Sequence, residues 1–161
     1  MDDRTSARRS AGGARSPEAL LGPAEYRSLG EFRRAIREFL AFSEEGAREQ
    51  GLTSQQHQAL LAIKSHAGSE PMTIGELAAS LLIKNHSAVG LVARLVERDL
   101  VTRRESDVDR RRVVIELRPR GEQALETISI RNLGQLNRTA EILAGILDTV
   151  RRLEQSGAWS D

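Results

Sequence analysis

The chain of 161 residues contains no cysteine. That excludes a disulfide frame, a thiolate metal site and a thiol redox switch, and it is consistent with a reducing cytoplasm, the expected location. Aromatic residues are scarce, with three Phe, one Tyr and one Trp. The three histidines, His57, His66 and His86, are not spaced as a ligand set such as HExxH, and no GxxxxGK phosphate loop occurs. No enzymatic chemistry, metal or cofactor is therefore expected. No apolar run approaches the ~18 residues of a membrane span and the N-terminus lacks a secretory apolar core, so no membrane partner is expected. Lysine is confined to Lys64 and Lys84, which leaves arginine to carry nearly all the positive charge.

The net charge is only +1, which by itself points to no partner. Its distribution is uneven. From Lys84 to Arg120 there are ten Lys/Arg against six Asp/Glu, and the rest of the chain is net negative. Positive charge gathered on one segment fits a phosphate-binding face; a solvated, salt-bridged surface is the other reading. Residues 1–22, rich in Arg, Ser, Ala and Gly without an apolar period, read as a disordered tail or as a basic arm that touches DNA. A single domain, long enough to bury a proper core, is expected over 23–161.

Leu29, Phe32, Ile36, Phe39 and Leu40 recur at helical spacing and predict a long first helix over about 24–50. Four of the five aromatics (Tyr26, Phe32, Phe39, Phe42) lie on or beside it, either as ordinary core or as a subunit interface or cavity wall. Gly51 ends this helix, and Thr53-Ser54-Gln55-Gln56 signals the start of the second, with Leu60, Leu61 and Ile63 as its apolar set and a stop near Gly68. Thr73 with Glu76 forms a capping box for a third helix, Ile74 to Leu82, burying Leu77, Ala78 and Leu81.

The fourth helix is predicted to open at Asn85 as N-cap and to run to Arg98, with Val89, Val92, Leu95 and Val96 as its apolar stripe. His86, Ser87, Gly90, Ala93 and Arg94 lie off that stripe. Short side chains near the N-terminus let a helix sit deep in a groove about 12 Å wide. Gly90 costs about 1 kcal/mol relative to alanine inside a helix. Close approach to DNA and tight packing against another helix each account for it.

Val101 to Glu105 reads as a strand, and Val113, Ile115 and Leu117 alternate as the inner face of its partner. The polar connection Ser106 to Arg111 joins them. A helix-turn-helix followed by a hairpin with an arginine-studded tip is a tool for reading duplex DNA. The candidate contact residues are Lys84, Asn85, His86, Ser87, Ala88, Gly90 and Arg94 on the helix, with Arg103, Arg110, Arg111 and Arg112 on the hairpin. Consecutive strand residues point to opposite sides, so at most two of the last three reach DNA. A decorated surface hairpin is the alternative.

The run from the third helix through SDVDRRRVVIELRPRG resembles the MarR family of bacterial transcription regulators. The resemblance rests on the wing Asp109-Arg110-Arg111 and on Leu117-Arg118-Pro119-Arg120-Gly121, where arginine replaces the usual threonine, and it covers about Ala24 to Leu153. It implies a mostly α fold with a small β-hairpin: a winged helix-turn-helix over about 53–118 flanked by N- and C-terminal dimerisation helices, about 24–50 and 119–154. It further implies a homodimeric repressor or activator in which Arg111 or Arg110 enters the minor groove. Many members carry an acidic residue before the Arg-Leu pair of the recognition helix; Ala93 stands there in this chain, so orientation of the wing falls to Asp107 or Asp109.

Pro119 suits the first turn of a helix through Leu125, Ile128 and Leu133. Leu136, Ala140, Leu143, Leu147 and Val150 then repeat at four-three-four-three, a seam for a partner helix. Two heptads are too few for a lone coiled coil. Intertwining with the first helix of each subunit, Phe32 included, is expected, with intramolecular packing as the alternative. His57 falls where the resemblance puts an effector cavity, between the first two helices and the fifth; a partly exposed structural histidine is the alternative. The leading reading is a sequence-specific regulator that binds a pseudo-palindromic double-stranded operator as a homodimer and responds to a small molecule. The rival is a winged-helix module that docks on another protein.

Overall fold

The computed structural model describes residues 21–68, 70–109 and 111–155. Most of the expected tail, and the candidate contact Arg110, lie outside the described residues. The elements run α1 (Pro23–Glu49), α2 (Ser54–Ser65), α3 (Ile74–Ser80), α4 (Asn85–Glu97), β1 (Val101–Glu105), β2 (Val113–Leu117), α5 (Pro119–Arg138) and α6 (Ala140–Gln155). The fold is mostly helical with a two-stranded antiparallel hairpin, as the sequence predicts.

Both capping boxes form. The Thr53 hydroxyl accepts from the Gln56 N–H at 3.2 Å while the Thr53 N–H donates to the Gln56 side chain at 3.0 Å. Thr73 and Glu76 do the same at 3.2 and 2.7 Å. Each box satisfies N–H groups that a helix start leaves unpaired. Between α1 and α2 the chain turns through Gly51, whose φ of +69° is strained for any residue with a Cβ. Arg98 braces this corner from the end of α4, donating to the Gly51 carbonyl at 2.7 Å and to Gln56 at 3.1 Å.

The core lies where α2, α3, α4 and the hairpin converge, with Leu60, Leu77, Leu91, Leu95, Ile115 and Ile128 fully buried. Several predicted faces are shifted. On α2, Leu61 is 47% exposed, because Ala59, Leu60 and Ile63 define the inward side and Leu61 lies about 100° round from Leu60; the helix also ends at Ser65, short of Gly68. On α4 the buried set is Ala88, Leu91, Val92 and Leu95, spaced three-one-three, and Val89 is exposed. On β2, Val114 is fully buried and Val113 is 40% exposed. Strict alternation fails there because residues 72–73 cover the second edge of the strand: the Ile115 N–H donates to the Met72 carbonyl at 2.8 Å, and Thr73 bridges Val114.

The hairpin register pairs Val101 with Leu117 and Glu105 with Val113. At its base, Pro119 occupies the first turn of α5, and Gly121 packs so tightly that a Cβ there would collide with the Leu100 carbonyl oxygen. The Leu-x-Pro-x-Gly pattern thus has a packing reason: it lets the wing hand over to α5 without a gap.

The long α1 packs along α5 and α6. The Asn132 side chain donates to Ser43 at 2.9 Å, Arg131 pairs with Glu49 and lies over the Phe42 ring, and Thr149 meets Ser28 at 3.2 Å. The predicted C-terminal seam is divided. The helix breaks at Thr139, whose hydroxyl bonds back to the Gln135 and Leu136 carbonyls, both at 3.1 Å. Leu136 therefore sits on α5, apart from Leu143, Leu147 and Val150 on α6. Phe32 and Leu143 are half-buried, while Leu136, Leu147 and Val150 are exposed, as are Tyr26, Leu29, Ile36 and Leu40 of α1. Of the aromatics on α1, Tyr26 is exposed and Phe32, Phe39 and Phe42 are half-buried, and the buried residues of the helix are Ala35, Gly46 and Ala47.

Candidate nucleic-acid interface

Helix α4 is capped by Lys84, in extended backbone (φ −71°, ψ 148°), not by Asn85. Asn85 is the first helical residue, and its side chain is exposed beside those of Lys84, His86, Ser87 and Arg94. Ala88 is fully buried, so its side chain belongs to the core and cannot touch DNA. The face opposite the buried stripe is made by His86, Gly90 and Ala93, with Arg94 and Ser87 on one flank and Val89 on the other. A Cβ on Gly90 would meet nothing closer than the Arg94 guanidinium, at 3.7 Å. Among the described residues no helix crowds it, so packing between them gives no reason for glycine here.

The wing is tied down by residues that the sequence pattern does not single out. Ser106, 3% exposed, sits at its mouth. Its hydroxyl accepts from the Val108 and Asp109 N–H groups, both at 3.2 Å, and donates to the Glu70 carboxylate at 3.2 Å. Its own N–H donates to the Arg112 carbonyl at 2.9 Å. Arg104 holds the strands together through Glu116 at 3.0 Å and Asp107 at 2.8 Å. Asp109 accepts the Arg111 N–H at 3.0 Å, closing the tight turn at the tip. A serine two residues before a turn is a recognisable local signal; Glu70, 36 residues away, is not.

The arginines separate by partner. The Arg112 guanidinium pairs with Glu76 at 3.4 Å and so leans on the start of α3. Bonds from the Thr73 hydroxyl and N–H, with Arg112 adding a smaller share, hold the Glu76 carboxyl below its ordinary range. Arg103 and Arg111 are exposed, with no ion pair among the described residues. Arg111, at the tip, and Lys84, at the mouth of α4, are the cations best placed to meet an external anion.

His57 has two readings from the sequence, an effector-cavity residue or a partly exposed structural histidine. It is buried, at 5% exposure, and its Nε2 has no hydrogen-bond partner among the described residues. Burial pushes its pKa down. Two clefts lie elsewhere. One of about 420 Å³ runs between the end of α2, the loop after it and β2, and one of about 360 Å³ opens where α3, α4 and the wing meet. His57 lines neither.

A helix-turn-helix whose second helix offers a short-chained outer face, followed by a cationic hairpin fastened beside it, is a winged helix of the DNA-binding type. Residues 50–112 match the model of the MarR family. Among solved structures, the transcriptional regulator PA4135 is 26% identical, with 77% of this chain covering 93% of that one at a TM-score of 0.61. CouR from Rhodococcus jostii RHA1, solved with p-coumaroyl-CoA, is 23% identical over 90% of this chain and 98% of its own, TM-score 0.62. A point mutant of MepR from S. aureus, solved with an oligodeoxyribonucleotide, is 20% identical over 81% and 96%, TM-score 0.59. No protein of curated function matches the sequence. The winged segment is thus similar to the MarR family of transcription regulators, and the fold is similar to that of these solved regulators. Among the described residues, no helix is long and apolar enough to cross a membrane.

Proposed function

We propose that this chain is a sequence-specific DNA-binding transcription regulator that acts as a homodimer on a pseudo-palindromic operator. The observation that carries the reading is the pairing of an uncrowded, short-chained α4 face with a wing that carries two exposed cations, Arg103 and Arg111, without an ion pair among the described residues. A groove-reading helix needs the first and backbone positioning the second. The uncovered apolar residues of α1 and α6 supply a second copy with a surface of the kind subunit interfaces bury. Response to a small molecule is part of the proposal; it is supported by the ligand-bound relative of the same fold.

The test is geometric. A two-fold dimer sets its recognition helices about one helical turn, or 10 bp, apart, so a duplex enriched from a random library by the full-length protein should contain an inverted repeat. Inserting about 5 bp between its halves turns one half-site to the far side of the duplex and should abolish tight binding. Equal affinity for both spacings would defeat the dimer geometry. If no duplex is enriched, the wing is better read as a protein-docking surface.

A further inference from the structure

Val89 lies on α4 with its side chain 46% exposed, outside the buried stripe of Ala88, Leu91, Val92 and Leu95. Neither burial nor helix propensity favours a β-branched apolar residue there. It points toward α3 and the wing, into the cleft of about 360 Å³ that it lines with Gly75, Asn85, Arg112 and Val113. Val113, the residue the strand pattern would have put inside, is itself 40% exposed. Two valines on different elements thus form one apolar spot, rimmed by Asn85 and Arg112. Gly90 follows directly, and its lack of a Cβ lets the backbone at this turn come close to whatever lies outside.

The cationic and amide rim suits a polyanion. In the major groove of duplex DNA the apolar group on offer is the thymine C5-methyl, which apolar side chains contact. We propose that Val89 is a specificity-determining residue that packs on the C5-methyl of one thymine in each half-site, with Val113 closing the contact from the wing side. The inference rests on the DNA-binding reading above and adds to it which base is read and by what. Cytosine, which lacks the methyl, is disfavoured at that position for want of this contact.

The experiment uses the full-length protein and the duplex it enriches from a random library. Each thymine of a half-site is replaced in turn by 2′-deoxyuridine, which removes only the methyl, and affinities are read by fluorescence anisotropy at one salt concentration. For the wild type, one replacement per half-site should weaken binding by about four-fold, the worth of one buried methyl-sized group. Val89→Ala, a change at an exposed helical site, should bind the thymine duplex about as weakly as the wild type binds the uracil one, and should be indifferent to the replacement. Circular dichroism and sedimentation of the variant should match the wild type. If no replacement weakens the wild type, or the same loss persists in Val89→Ala, the assignment of Val89 is wrong while the DNA reading stands. If the wild type enriches no duplex, both fall together.

Discussion

Gly121 and Gly90 are both helical glycines, and the structure separates their reasons. Gly121 lies against the Leu100 carbonyl with no room for a Cβ, so Gly121→Ala must push α5 off the hairpin. A loss of about 1–3 kcal/mol, read as a lower urea midpoint, is expected. Gly90 has open space around it, so Gly90→Ala should raise stability by up to about 1 kcal/mol and yet weaken operator binding. Unchanged affinity would remove close approach as its reason. His57 is informative in another way. Buried and unpaired at Nε2, it resists protonation when folded, whereas in the unfolded chain it takes up a proton near pH 6.5. Its folded pKa is the lower of the two, so stability is whole above that pH and falls below it, by up to about 1.4 kcal/mol per pH unit. Urea midpoints at about pH 7.5 and about pH 5.5 should differ more for the wild type than for His57→Leu; an equal drop in both would place the acid sensitivity elsewhere.

At the scale of the element, the wing is a device for holding charge in place. Ser106 gathers two N–H groups and passes the restraint to Glu70. Ser106→Ala leaves those amides without their acceptor and should cost about 1 kcal/mol. The amides of Val108 and Asp109 should exchange faster with solvent, and binding to all duplexes should weaken with base preferences intact, since a wing of this kind positions the protein more than it reads. Arg111→Ala tests the tip itself. Losing one phosphate contact makes the salt dependence of binding shallower by up to about 0.9 in log–log slope. No change in either affinity or slope would take Arg111 out of the interface. The capping boxes that start α2 and α3 were legible in the sequence because each is a bond between residues three apart. The bonds that fix the wing were not, since Ser106–Glu70 and Arg112–Glu76 each span 36 residues of chain.

At the scale of the whole molecule, the uncovered apolar surface on α1 and α6 is the surface that the proposed dimer would bury. The seam reads as continuous in the sequence, but the turn at Thr139 leaves Leu136 on α5 and sets α6 along α1. Leu147 is 55% exposed in the single chain, so Leu147→Glu should leave the fold intact. In a dimer that buries this face the new carboxylate would lose its water, a cost far above that of a lost methylene. A folded monomer with weak, non-cooperative DNA binding is expected from sedimentation and titration. A folded dimer with full affinity would put the interface elsewhere.

The order of helices and strands, the two capping boxes and the polar hairpin with its arginines were determined by the sequence alone, because each depends on residues within one or two turns of each other. Which side of an element faces inward was decided by the tertiary structure. Val89 and Leu91 are both good core residues, and only the packing of distant elements on α4 buries Leu91 while Val89 is left exposed. Val113 and Val114 exchange places because residues 72–73 close over β2. The residues that give this molecule its outer surface, Val89, Val113, Leu147 and the arginines of the wing, are those whose neighbours arrive from distant parts of the chain. No local pattern carries that information, since burial is a property of what packs together.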